Sequence, residues 1–364
     1  ARFGFSDATE MFVFCSGMAS ALAFGTVFMR AGWSMGTLQI AHRIWQVYWV
    51  HLGVFLVSIV LLVAMNASGV FPRDEVREFN LHPFLENTGP NLIGLLTLTY
   101  VPNYFDILPM YLVILALVPV MMGLARVDVR LAFALSLGLW AMATAGVNLP
   151  AELWFSEPSD RPWYFNPFAW QLVFFTGFAL MSGWLPVPPV RRDLVLIALA
   201  IVVASVPFAW YEIVHRLPAI QAWRNDFSVL LDKTNFGALR YIHFLALAYL
   251  AFAAAGEGGA RLKRAGVAGA VIKVVSQVGQ QSLAVFAASM VLSFVLGAVL
   301  NLMGGGALAA VLVNAVGIAA LIAIARLAFL FKSKPWARPS APATEPTTWM
   351  PPFGKETHER ATAG

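Results

Sequence analysis

Phe3-Gly4-Phe5-Ser6-Asp7-Ala8-Thr9-Glu10-Met11-Phe12-Val13-Phe14-Cys15-Ser16-Gly17 sets two acids, Asp7 and Glu10, at the mouth of a run otherwise built for lipid. Charges in such a place are costly and mark a function or a partner by default. Outward from this stretch the chain stays apolar. Of its 364 residues 59% are hydrophobic and only 12% are charged, with a mean hydropathy of +0.73. A soluble domain carries about 25% charged residues, so the charge here is roughly half of what a water-facing surface needs. Apolar stretches of about 20 residues recur along the whole length, which makes the fold class all-α, a polytopic integral membrane helical bundle. A secretory signal would show one short apolar run and then a soluble composition. The single Cys15 excludes an intrachain disulfide framework and leaves no metal-ligand spacing, so no metal is expected.

The pattern predicts nine spans, over about 9–29, 38–67, 107–124, 131–147, 168–184, 194–213, 238–255, 270–302 and, after Gly304-Gly305-Gly306, up to 331. Residues 1–331 then form the membrane-embedded domain, and 332–364, rich in Pro, Thr and Ser, a disordered tail. The polar segment 71–106 contains one short apolar piece, Leu92 to Leu98, expected to be re-entrant or interfacial. Segment 214–237 reads as a charged loop.

Basic clusters fall after alternate spans: Arg30, then Arg126 and Arg130, then Arg191 and Arg192, then Arg261, Lys263 and Arg264, then Lys332, Lys334 and Arg338. Positive-inside bias places these loops and the C-terminal tail in the cytoplasm and residues 1–6 outside. The formal charge of +5 follows from these loops and does not indicate nucleic acid. A chain starting outside implies one further span before it, so ten are expected in the full-length protein.

On this sidedness Asp7, Glu10, Asp106, Asn166, Gln171, Arg240 and His243 lie near the outer face. His42, Arg43 and Gln46 of the second span, with Gln277, Gln280, Gln281 and Ser282 of the eighth, lie near the inner face. Each group has a plain reading beside the functional one. Asp7 and Glu10, three apart on one helix face, are either acids complementing a helix N-terminus, where Ser6-x-x-Thr9 makes a poor cap, or site groups. Arg43 is either a positive-inside anchor or a donor contact. His42, His51 and His243 are either satisfied bundle residues or members of a site. No phosphate loop, nucleophile elbow or His-Glu-x-x-His motif is present.

Phe5-Ser6-Asp7-Ala8-Thr9-Glu10-Met11-Phe12-Val13-Phe14-Cys15-Ser16-Gly17 resembles the opening block of the OpgC family, and the looser Asp-hydrophobic-Phe-Phe-Val-x-Ser-Gly block of the acyltransferase-3 superfamily. Four strings resemble the same family in order: Tyr100-Val101-Pro102-Asn103-Tyr104-Phe105-Asp106-Ile107-Leu108-Pro109-Met110-Tyr111; Phe165-Asn166-Pro167-Phe168-Ala169-Trp170-Gln171-Leu172; Leu239-Arg240-Tyr241-Ile242-His243-Phe244-Leu245-Ala246-Leu247-Ala248-Tyr249-Leu250; and Gly279-Gln280-Gln281-Ser282-Leu283-Ala284-Val285-Phe286.

The resemblance implies an inner-membrane O-acyltransferase that carries succinyl from a CoA thioester to hydroxyls of periplasmic glucan. It implies a principal catalytic His on a helix preceding this chain, with Asp7, Glu10 and His243 in supporting roles. Asp106, Asn166, Gln171 and Arg240 are expected to bind the acceptor. His42, Arg43, Gln46 and Gln280 are expected to meet the acyl-CoA donor, helped by the Arg261–Arg264 connector. The superfamily's Arg-x-x-Arg reads here as Arg43-Ile44-Trp45-Gln46, so only its first arginine carries over. The lipid bilayer, the glucan and acyl-CoA are the expected partners, with no permanently bound cofactor. The rival is a transporter or flippase for an anionic or sugar-linked substrate, since acids at one mouth and arginines at the other suit anion or proton movement as well.

Overall fold

The computed structural model describes residues 4–71, 73–153, 161–262 and 266–334. The expected tail beyond Lys334 and the basic residues Lys263 and Arg264 lie outside the described residues. α1 spans Ala8–Arg30, with one π-helical turn at Ala21–Gly25. Its cap is Asp7, one residue later than the Ser6-x-x-Thr9 reading. Asp7 Oδ1 accepts from the Thr9 N–H (2.9 Å) and Glu10 Oε2 from the Asp7 N–H (2.8 Å), a capping box that satisfies two donors at the helix start.

α2, Gly32–Ala67, is 36 residues long, about 54 Å at 1.5 Å per residue and far longer than a bilayer core of about 30 Å. Three short helices follow in the polar segment, α3 (Glu75–Glu78), α4 (His82–Glu86) and α5 (Thr88–Thr97). The apolar piece expected at Leu92–Leu98 belongs to α5. Next come α6 (Ile107–Val127), α7 (Val129–Thr144), α8 (Pro167–Met181) and α9 (Arg192–Ala209). The expected loop 214–237 is largely helical, as α10 (Tyr211–Arg216), α11 (Pro218–Asp226) and α12 (Ser228–Leu231). α13 is Ala238–Ala255, α14 Gly266–Gln280, α15 Ser282–Leu302 and α16 Ala307–Ser333. The span expected at 270–302 is thus broken at Gln281, whose backbone leaves the helical region (φ −107°, ψ 31°).

Among the described residues, seven helices are long and apolar enough to cross a membrane: α1, α2, α6, α9, α13, α15 and α16. This is the architecture of a multi-pass membrane protein. The expected count of nine included α7 and α8, of 16 and 15 residues, about 24 and 22 Å long. Both are stopped early by a left-handed glycine, Gly146 (φ +100°) and Gly183 (φ +74°). The following N–H groups fold back onto carbonyls, Val147 onto Met142 and Trp184 onto Ala179, which closes each helix end.

α8 is the centre of the bundle. Trp170, Val173, Phe174 and Phe178 are fully buried, as expected of a helix apolar on every side. α1 crosses it where two glycines face two phenylalanine backbones. A Cβ on Gly17 would lie 2.0 Å from the Phe174 carbonyl oxygen, and one on Gly177 would lie 2.3 Å from that of Phe14. Small residues let membrane helices approach until backbones touch. A second apolar cluster joins the far half of α2 to α4, α5 and α15 through Phe55, Phe84, Tyr100, Phe105 and Phe294.

Gly17→Leu and Gly177→Leu are each expected to force α1 from α8 and destabilise the protein by about 1–3 kcal/mol or more. Thermal unfolding in detergent checks this, with Gly53→Leu, which a Cβ would meet with nothing within 4 Å, as the control of small effect.

Candidate functional site

The acids of the opening stretch meet a pair of cations brought by the far end of the chain. Arg240, in the first turn of α13, donates from Nε to Glu10 Oε1 (2.9 Å), again from Nη2 to the same oxygen, and from Nη2 to Asp7 Oδ2 (3.4 Å). Lys233 Nζ donates to Asp7 Oδ2 at 2.7 Å. Glu10 is 0% exposed and Arg240 is 7% exposed, while Asp7 and Lys233 are half-buried, so a buried ion pair is flanked by a more open one. Partial burial alone would raise the Asp7 carboxyl, but the hydrogen bonds from Lys233 and Thr9 outweigh it and hold the group well below the usual range. The Asp7 carboxyl is therefore ionised at neutral pH.

One turn along α13, His243 faces the residue before the cap. Its Nδ1 accepts the Ser6 N–H (3.2 Å) and lies 2.6 Å from Ser6 Oγ. Because a backbone N–H can only donate, Nδ1 is an acceptor and the neutral ring carries its proton on Nε2. That Nε2 is buried and has no partner among the described residues. It lies against Gly4, where a Cβ would come within 2.3 Å of it. The expected residues Asp7, Glu10, Arg240 and His243 are thus brought together, and Ser6 joins them.

Lys233 is positioned by a local turn. Asp232 accepts the Thr234 and Asn235 N–H groups (3.0 and 3.1 Å), and Trp170 of α8 donates to the Lys233 carbonyl (3.0 Å). Asn166, expected to bind the acceptor, is spent on this framework instead. It caps α8 and donates to the Val147 carbonyl (2.7 Å) and to Asn235 Oδ1 (2.9 Å). Gln171 is also outside the cluster. Fully buried, it ties α7 to α8 by accepting from Ser136 Oγ (2.7 Å) and donating to the Ser136 carbonyl (2.7 Å), because an amide buried in an apolar bundle must find protein partners. Asp106 accepts the Tyr164 N–H (3.0 Å) and is 2% exposed. Burial pushes its carboxyl up to about 6, against the lowering effect of that N–H. It holds the 161–166 segment onto the start of α6.

Three of the residues expected to meet the donor are neighbours on α2. His42, Gln46 and Arg43 form a hydrogen-bonded chain, Gln46 Nε2 to His42 Nε2 at 2.9 Å and Arg43 Nη1 to Gln46 Oε1 at 3.3 Å. Arg43 lines a small pocket of about 40 Å³ with Phe12 and Ser16 of α1, Ile107 and Tyr111 of α6, and Ser282 of α15. α2 starts at Gly32 and not at Leu38, so Arg43 stands out of the first turns, about 16 Å along the helix, where it meets α1, α6 and α15. Gln280 ends α14, exposed, beside the break that delivers Ser282 to the pocket.

Ser6 and Lys233 are the members that sequence reasoning passed over. Lys233 carried a usable signal, as a lysine seven residues before Arg240 in a chain with few charges. Ser6 carried none, since its role depends on a ring 237 residues away.

Glu10→Gln leaves the Arg240 guanidinium buried with only a 3.4 Å carboxylate contact, and a loss of about 3–5 kcal/mol is expected. The double variant with Arg240→Gln should lose less than the sum of the single changes, as read by thermal unfolding. Asp106→Asn should do the reverse. The folded Asp106 binds its proton more tightly than the unfolded chain does, so wild-type stability falls as pH rises from about 4 to about 6, by roughly 3 kcal/mol for two pKa units. The Asn variant, which keeps an acceptor for Tyr164, is expected to be the more stable protein at pH 7 and to match wild type below about pH 4.

No curated protein and no solved structure matches this chain. A family does, the OpgC protein family, over residues 1–333. The match runs from the capping stretch through the last described helix and so contains the whole ionic cluster, both pockets and the bundle that positions them. By this match the chain belongs to the OpgC family.

Proposed function

We propose that the protein is an O-acyltransferase of the bacterial inner membrane, transferring succinyl or a similar acyl group from a cytoplasmic acyl-CoA to hydroxyls of periplasmic glucan. OpgC membership supports a membrane acyltransferase that modifies glucan and favours it over transport. The observation that carries the chemistry is the Ser6–His243 pair, set beside a group of two acids and two cations.

Acyl transfer to an alcohol needs a base for the hydroxyl proton, positive charge for the oxyanion, and a path for the thioester. His243 Nδ1 is the base, reached through Ser6 Oγ: the acceptor hydroxyl passes its proton to Ser6 as Ser6 passes its own to the imidazole. The acceptor oxygen attacks the thioester carbonyl carbon, the C–S bond breaks, and the departing thiolate takes the proton back from the imidazolium. Arg240 supplies positive charge, and Glu10 fixes the guanidinium in place. Asp7, at 25% side-chain exposure the more open carboxylate, orients the acceptor or a neighbouring imidazole. His42, Arg43 and Gln46 meet the donor, with the pocket between α1, α2, α6 and α15 as the route of the acyl chain. Positive-inside bias in the loops supports a cytoplasmic C-terminus.

The test is the succinyl content of periplasmic glucan from cells with and without the protein. Succinyl groups are expected only in its presence, and an unchanged content in its absence would overturn the reading. His243→Gln should lower transfer at least ~100-fold, as removal of a general base does, while leaving the thermal midpoint near that of wild type.

A further inference from the structure

A cavity of about 70 Å³ opens beside the ionic cluster, lined by Gly4, Phe5, Ala209, Arg224, Leu231 and Arg240. At about 30 Å³ per water it has room for about two waters, the size of one carboxylate. Its wall presents guanidinium groups and no acid. Neither Asp7 nor Glu10 lines it, and among the described residues no other carboxylate does.

Of the two arginines at this space only Arg240 is paired to an acid among the described residues. Asp7 and Glu10 are matched by Lys233 and Arg240. Arg224 adds a further positive charge and makes no ion pair among the described residues. Its Nη1 donates to the Phe208 carbonyl in the last turn of α9, a contact that fixes the guanidinium and leaves its other donors. Half-buried on α11, Arg224 lines the cavity and is tied by this bond to the end of α9. A guanidinium fork in a confined space is the group suited to a carboxylate.

From this we infer that the cavity is the subsite for the distal carboxylate of a dicarboxylic acyl group, with Arg224 as the residue that selects an acidic acyl chain over a neutral one of the same length. The inference rests on the acyl-transfer reading above and adds to it the location of the acyl end and the residue that recognises it. Arg240 is shared between the two, holding the acids on one side and closing the cavity on the other.

Two measurements on the full chain in detergent or nanodiscs test it. In the first, succinyl-CoA and butyryl-CoA are compared as donors for wild type, Arg224→Gln and Arg224→Lys. The ratio of their kcat/KM values is expected to fall about ten-fold or more in the Gln variant, mainly through KM for the succinyl donor, and by less in the Lys variant, which keeps the charge. In the second, free succinate at millimolar concentration is expected to raise the thermal midpoint of wild type and not of Arg224→Gln. An unchanged donor ratio, a preference that follows the charge of the acceptor instead of the donor, or equal succinate stabilisation of wild type and variant overturns the subsite. Should wild type transfer neither acyl group, the acyl-transfer reading fails, and the succinate measurement still decides whether the cavity binds a carboxylate. Should Arg224→Gln not fold, Arg224→Lys carries both measurements, and a donor ratio and succinate shift equal to those of wild type overturn the role of the guanidinium fork.

Discussion

The contact on which the site depends is the ion pair between Glu10 and Arg240. It joins the first turn of α1 to the first turn of α13 across 230 residues of sequence, with both side chains almost fully removed from solvent. Taking two such charges out of water costs several kcal/mol each, and their attraction returns this only when geometry and extra hydrogen bonds are good. Here the extra bonds exist: the Asp7 N–H on Glu10, and Asp7 with Lys233 alongside. A buried pair of this kind is a poor source of stability and a good source of position, since breaking it from either side is expensive. It fixes where Ser6 and His243 meet, because Ser6 precedes the capped helix and His243 follows Arg240 by three residues.

Around that pair, rigidity comes from a different source. α8 is too short to count as a full span, yet it is the most enclosed helix of the bundle. α1 is seated on it through backbone-to-backbone approach at Gly17 and Gly177. α8 also holds the cation side: Trp170 and Asn166 at its start bind the 232–237 turn that carries Lys233. One buried helix thus places both the acidic and the basic partners. The helices nearest lipid, α9, α15 and α16, contribute little buried surface and no member of the ionic group.

The polar cost of the interior is met almost everywhere by internal hydrogen bonds, as at Gln171 and Asn166. Among the described residues, buried side-chain atoms without a partner occur on Gln39, His51, Ser58, Glu75, Asn91 and His243. Of these only His243 stands in the candidate site, where the nearby Arg224 donates to a backbone carbonyl.

Composition and apolar run length by themselves determined a helical, multi-pass membrane chain, because lipid demands long apolar helices and admits few charges. The same scarcity of charge made Asp7, Glu10, Arg240 and His243 stand out, and these do converge. Run length predicted nine spans, and among the described residues seven helices are long and apolar enough to cross a membrane, because left-handed glycines stop α7 and α8 early. Nor did it register that α2 starts at Gly32, which brings Arg43 into one pocket with Ile107 and Tyr111. Only the tertiary structure decided which polar residues are framework and which are open. Asn166 and Gln171 look like Arg240 in sequence, as polar groups at helix starts, and differ in whether their partners are backbone or charge. Those partners lie dozens to hundreds of residues away, and hydrogen bonding across such distances has no trace in local pattern.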